Sequence, residues 1–251
     1  MKIGMFGYPG DHVERTHAMV DALKDAGAKK IVCLGGLIWS GRRGEDDQGP
    51  PATVLRWLRN NDIPTLANDT DRQIAGWRLQ ALDNITGYIQ PRVRKILSAL
   101  TREEAQWLYS RPSALPIEKV LCCSDSLTID ALYPAPLTSY NANKLFGVLE
   151  QTAAIFPSAN GPSLIVTKET EKLIEASTFD GIDVRIDARK FAAIIGGIAG
   201  TTPLNSDVSW GAIVDSEATQ LSMLCLDAKT LKKVPERGAI LIQRSELNWR
   251  G

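Results

Sequence analysis

The sequence predicts an α/β protein built as a two-layered mixed β-sheet flanked by helices. Three observations carry that expectation. The chain opens with a strand, a helix and a buried strand, in βαβ order. From Lys119 onward it changes to short apolar runs separated by polar turns. With 251 residues, 44% apolar and 23% charged, it can bury a substantial core. A βαβα half followed by a strand-rich half is the pattern of layered sheets and helices. Residues 1–243 are expected to form one domain, with 244–251 as a C-terminal tail.

Each element has its own signal. Lys2 to Phe6 reads as a strand ended by Gly7, Pro9 and Gly10. Asp11 is expected to cap the next helix, because a carboxylate can accept the free amides of a first turn. There Val13, Met19, Val20, Leu23 and Ala26 recur at helical spacing, and Gly27 closes the run. Ile31 to Gly36 is a short apolar run bounded by glycine, as in a buried parallel strand. Residues 40–52 form a polar loop rich in Gly and Pro. Thr53–Arg59 reads as a helix and Ile63–Leu66 as a short strand. Asp71–Leu82 and Arg92–Leu100 read as helices. In Thr101–Ser110, Thr101 and Glu104 have the spacing of a capping box, and Trp107 reads as core packing beside Leu100 and Leu108.

In the second half, VLCC, SLIV at 163–166, GIDVRI at 181–186 and FAAII at 191–195 read as strands. So do VSWGAIVD at 208–215 and TQLSMLCLD at 219–227, which Ser216-Glu217-Ala218 joins as a hairpin. Asn141–Ala154 and Glu169–Ala176 read as helices, and Ala239–Gln243 as a last short strand.

Composition narrows the chemistry. Basic and acidic residues balance at 29 each, which argues against a nucleic-acid partner held by bulk electrostatics. The only histidines are His12 and His17, so a site of several metal-bound imidazoles is not encoded. His12 is expected to be an exposed first-turn residue and His17 a solvated helical one. Cys33, Cys122, Cys123 and Cys225 show no zinc spacing and read as buried small hydrophobes. No window reads as a signal peptide or a membrane span, so a reduced, cytoplasmic protein is expected.

The order of elements carries a resemblance. MKIGMFGYPGD, IVCLGGLIWSG, IPTLANDTDR, TREEAQWLYSRP, KVLCCSDS, DALYP, SLIVTKETE and WGAIVD follow one another over about residues 1 to 243. In that order and spacing the chain resembles the compact calcineurin-like metallophosphoesterases of the YfcE-type phosphodiesterase group. The resemblance implies the family's fold, and loops that hold two divalent metals with D-x-H, G-D, G-N-H-D, a lone H and G-H-x-H. Two such metals clamp a phosphate and acidify the attacking water.

At the matching positions this chain has other residues. D-x-H becomes Tyr8-Pro9-Gly10, and G-D becomes Gly35-Gly36. G-N-H-D becomes Asn68-Asp69-Thr70-Asp71, and the lone histidine falls at Ser124. G-H-x-H becomes Lys168-Glu169-Thr170-Glu171, and a late N-P-G-S turn becomes Ile195-Gly196-Gly197-Ile198. Asp11-His12 lacks the intervening residue of D-x-H. Tyr8, Gly10, Gly36, Asp69, Thr70, Ser124, Glu169 and Glu171 therefore mark a degenerate metal site, with no catalytic residue, metal or cofactor expected.

The expectation that follows is a pseudoenzyme: an accessory subunit or interaction module whose partner is a protein, such as a catalytic paralogue or a larger assembly. Tyr8, Trp39, Arg42 and Arg43 would form the interaction rim, being aromatic and arginine anchors of the interface type. The alternative is a metal-dependent phosphodiesterase or phosphatase with a rebuilt carboxylate site. Asp69, Asp71, Asp125, Glu169 and Glu171 would then hold Mg²⁺ or Ca²⁺. A sensor of phosphate or nucleotide ligands is a further alternative.

Overall fold

A computed structural model describes residues 1–38, 50–80, 91–124, 150–158, 163–166, 176–178, 182–185, 191–198, 207–217, 220–234 and 241–244. The chain begins with β1 (Lys2–Phe6), α1 (Val13–Asp25) and β2 (Lys30–Cys33). Four helices follow: α2 (Thr53–Asn60), α3 (Asp69–Leu79), α4 (Pro91–Ala99) and α5 (Arg102–Tyr109). The strand-rich part holds β3 (Ala114–Ile117), β4 (Val120–Cys123), β5 (Ala153–Ser158) and β6 (Ser163–Val166). It continues through β7 (Ala176–Thr178), β8 (Ile182–Arg185), β9 (Phe191–Gly196), β10 (Val208–Asp215), β11 (Gln220–Asp227) and β12 (Leu241–Arg244).

The strands form two six-stranded mixed sheets, ordered β2-β1-β10-β11-β8-β7 and β12-β6-β9-β5-β4-β3. β1 pairs in parallel with β2 and antiparallel with β10, so the first sheet draws on both ends of the sequence. Period-two alternation sends each strand's side chains to two faces. Ile3 and Met5 of β1 join Val120, Cys122 and Ile155 of the second sheet in the core between the sheets. Phe6, Cys33, Ile213 and Leu224 instead meet Met19, Leu23, Leu55, Ile74, Leu97 and Leu108 of α1 to α5. The order is helices, sheet, sheet. Gly211 of β10 permits α1 to approach closely, since a Cβ there would lie 2.5 Å from the Met19 sulfur.

The α/β class, the βαβ opening, the late hairpin and the Thr101–Glu104 capping box are all present. Several elements differ from expectation. Ile63–Leu66 is not a strand but makes one bridge, Cys33 to Thr65, because Pro64 cannot donate to a ladder. Ala153 and Ala154, expected to end a helix, begin β5, which lies inside the second sheet between β9 and β4. Ala176, also expected in a helix, starts β7. β3 carries a proline and gave no strand signal. The last strand runs over Leu241–Arg244, later than expected. Residues 150–152 are not helical either, and the rest of the two expected helices, 141–149 and 169–175, lies outside the described residues.

Candidate functional site

The strand ends that the sequence singled out converge. The segment after β1 carries Tyr8 and Gly10, that after β2 carries Gly35 and Gly36, and residues 66–71 lead into α3. Backbone bonds stitch the first two: Tyr8 N donates to Gly35 O at 2.8 Å, and Gly10 N to Gly36 O at 3.3 Å. Ser124, after β4, is fully buried; its hydroxyl donates to Ala67 O at 3.0 Å. Tyr8, Gly10, Gly36, Asp69, Thr70 and Ser124 thus belong to one face. Glu169, Glu171, Asp125, Trp39, Arg42 and Arg43 lie outside the described residues.

Gly36 is a tight point of this face. Its φ of +77° is in the left-handed region, and a Cβ there would lie 2.6 Å from the Tyr8 ring and 2.9 Å from the Tyr8 Cα. Tyr8 itself has φ +48°, a strained conformation for an aromatic residue. The resemblance puts a metal-bridging carboxylate at Gly36. In this chain the Tyr8 ring fills that space.

Asp71 anchors the same loop from the α3 side. Asn68 caps α3: its side chain accepts from Asp71 N, and the Asp71 carboxylate accepts in return from Asn68 N at 3.2 Å. The carboxylate also reaches across to the loop after β2. Oδ2 accepts from Gly36 N at 2.8 Å, and Oδ1 from Ile38 N at 3.0 Å. Burial pushes its pKa up to about 6, against the pull of the amides of Ile38, Gly36, Asn68 and Leu37. Asp71 therefore clamps backbone. Asp69, two residues earlier, is 97% exposed and lies 3.6 Å from Arg72 on its own helix.

Asp11 and His12 behave differently from expectation. The residue preceding α1 is His12, whose side chain makes no capping hydrogen bond to that helix. Asp11 instead caps α2, its Oδ1 accepting from Thr53 N at 3.1 Å. That reach draws the loop inward, and His12 is 6% exposed rather than solvated. His17 is half-buried and packs on Trp57 of α2 with ring centroids 4.4 Å apart. The Asp11 bond to α2 was invisible in sequence because it joins two separate loops.

The four cysteines are free and buried, as the apolar runs around them require. Burial pushes the Cys33 and Cys122 thiols up to about 12 and raises Cys123 as well. Among the described residues, no three His, Cys, Asp or Glu side chains are grouped to hold a metal ion. Of the positions the resemblance singles out, Gly36 has no side chain and the Ser124 hydroxyl is bonded to Ala67 O, while the neighbouring Asp71 carboxylate accepts from backbone amides.

Solved structures share this fold. A metallophosphoesterase from Sphaerobacter thermophilus overlays with a TM-score of 0.62 at 13% identity, covering 90% of this chain and 89% of its own. The fold is that of a metallophosphoesterase. The hypothetical protein PH1004 from Pyrococcus horikoshii overlays with a TM-score of 0.58 at 14% identity, covering 92% and 90%. YfcE, a phosphoesterase from E. coli, matches at a TM-score of 0.45 and 12% identity over 93% and 97%. No protein-family model and no curated protein sequence matches the chain. Among the described residues, no helix is long and apolar enough to cross a membrane.

Proposed function

We propose that this chain is a non-catalytic protein of metallophosphoesterase fold whose strand-end face serves as a binding surface for a protein partner. The observation that supports the reading is the Tyr8–Gly36 contact: the ring crowds Gly36, the position at which the resemblance expects a metal-bridging carboxylate. Asp71 supports it, because a carboxylate accepting several backbone amides is already occupied. The decisive experiment combines metal analysis of the purified chain with hydrolysis of bis-p-nitrophenyl phosphate in added Mn²⁺. Substoichiometric metal and no turnover are expected. Two equivalents of metal per chain, with turnover that a chelator abolishes, would overturn the proposal.

A second reading is a metal-dependent phosphoesterase with a rebuilt carboxylate site. What favours it is the overlay with a metallophosphoesterase across nearly the whole of both chains. Asp69, exposed at this face, would be its one described ligand, and hard oxygen donors suit Mg²⁺ or Ca²⁺. The same assay run with Mg²⁺ separates the two, since D69N abolishes turnover only in the second reading.

A further inference from the structure

A separate groove of about 350 Å³ opens at the other end of β2, between the ends of α1 and α2. Lys24, Lys29 and Lys30 line it against one carboxylate, Asp62, and Trp57, Ile31 and Pro64 supply apolar wall. Acidic and basic residues balance over the whole chain, so three ammoniums to one carboxylate is a local surplus. Lys24 lies 3.8 Å from Asp21, but both side chains are well exposed, and such a pair contributes little.

The edge of the sheet adds a second observation. β2 is the outermost strand of its sheet among the described residues. Beside it, Ile63–Leu66 bonds only at the far end, where Cys33 N donates to Pro64 O and Cys33 O accepts from Leu66 N, both at 2.9 Å. Lys30 and Ile31, at the groove, have no described strand on that side. An open edge is a template for an added strand, and lysines along it discriminate against most chains. They discriminate least against an acidic one.

We infer that this groove binds an extended, acidic peptide segment of a protein partner, laid beside Lys30 and Ile31. The peptide's backbone pairs with the edge, its carboxylates meet the three lysines, and an apolar side chain rests on Trp57. Alternate residues of a strand face opposite ways, so one segment can present acidic and apolar groups together. The site lies at the opposite end of β2 from Gly36 and stands whether or not the strand-end face hydrolyses anything.

The test uses the full chain and a short fluorescein-labelled peptide of alternating Glu and Val. Anisotropy is expected to report saturable binding, with amide shifts at Lys30 and Ile31 and at the Trp57 indole. Charge reversal in K29E/K30E is expected to weaken binding at least about tenfold. These lysines are exposed, and K24E alone, with a smaller loss, checks the effect in a second variant. No saturable binding, equal binding of a Gln–Val peptide, or indifference to charge reversal overturns the inference. So does inorganic tripolyphosphate producing the same shifts, which would make the groove a site for free polyanions.

Discussion

The Asp71 carboxylate accepts a hydrogen bond from Gly36 N at 2.8 Å, across 35 positions of sequence. This bond and its neighbour at Ile38 hold the loop after β2 against the start of α3. The Asp71→Ala variant is expected to leave several buried amides unbonded, at about 1–3 kcal/mol each, for a total loss of about 3–5 kcal/mol. D71N keeps one acceptor and should lose about half as much. Urea unfolding of both variants checks this, and an Ala variant as stable as the parent would refute the clamp.

The same carboxylate makes stability pH-dependent. Its pKa rises from 3.8 to about 6 on folding, because burial disfavours the charge more than the amides favour it. The native state then holds a proton at pH values where the unfolded chain has lost it. The contribution is fully present below about pH 4 and is lost as pH rises through about 6, amounting to about 2–3 kcal/mol. A carbon-13 titration of Asp71 should give a midpoint near 6. The stability gap between parent and D71N should widen from pH 7 to pH 4.5.

Placing a carboxylate at Gly36 is expected to destabilise the chain. Gly36→Asp places a Cβ against Tyr8 at a left-handed φ, so a loss of about 2–4 kcal/mol is expected. Pairing it with Tyr8→Gly should recover part of that loss, since the ring is gone while the φ penalty stays. Chemical denaturation of the single and double variants measures the coupling.

Asp11 should matter through α2. Asp11→Ala removes the acceptor for Thr53 N and is expected to lose about 1 kcal/mol, whereas Asp11→Asn keeps most of it. Equal losses in the two variants would point to charge rather than capping.

Thiol reactivity gives a simple check of burial. With all four cysteines buried, a disulfide reagent should label none quickly in the native state and four after denaturation. Fast labelling of a native thiol would contradict the packing.

Much of the fold was legible because its signals are local. The helical spacing in α1, the Thr101–Glu104 box and the alternating hairpin of β10 and β11 are written within a few residues each. β5 was hidden because the helix expected from Asn141 ran on into its first two residues and Pro157 lies within it. At the site, the order of strand ends foretold which residues would meet. What each does there depended on partners far away in sequence: Tyr8 on Gly36, Asp71 on Ile38, and Asp11 on Thr53. His17 was misplaced for the same reason, since Trp57 of α2 packs on its ring.

The pairing of β1 with β10 also sets a schedule for synthesis. Lys2 sits opposite Asp215, and the Met1 ammonium bonds Ser216 across 215 positions of sequence. At about 5–20 residues per second, a ribosome takes roughly 10–40 seconds to deliver that partner. Until then β1 and β2 have helices to cover one face but lack the strand that completes their sheet. Contacts of such long separation slow folding and leave an unpaired edge exposed to neighbours. The nascent chain is thus most vulnerable to aggregation before β10 emerges, and a chaperone that shields the first strands would act in that interval.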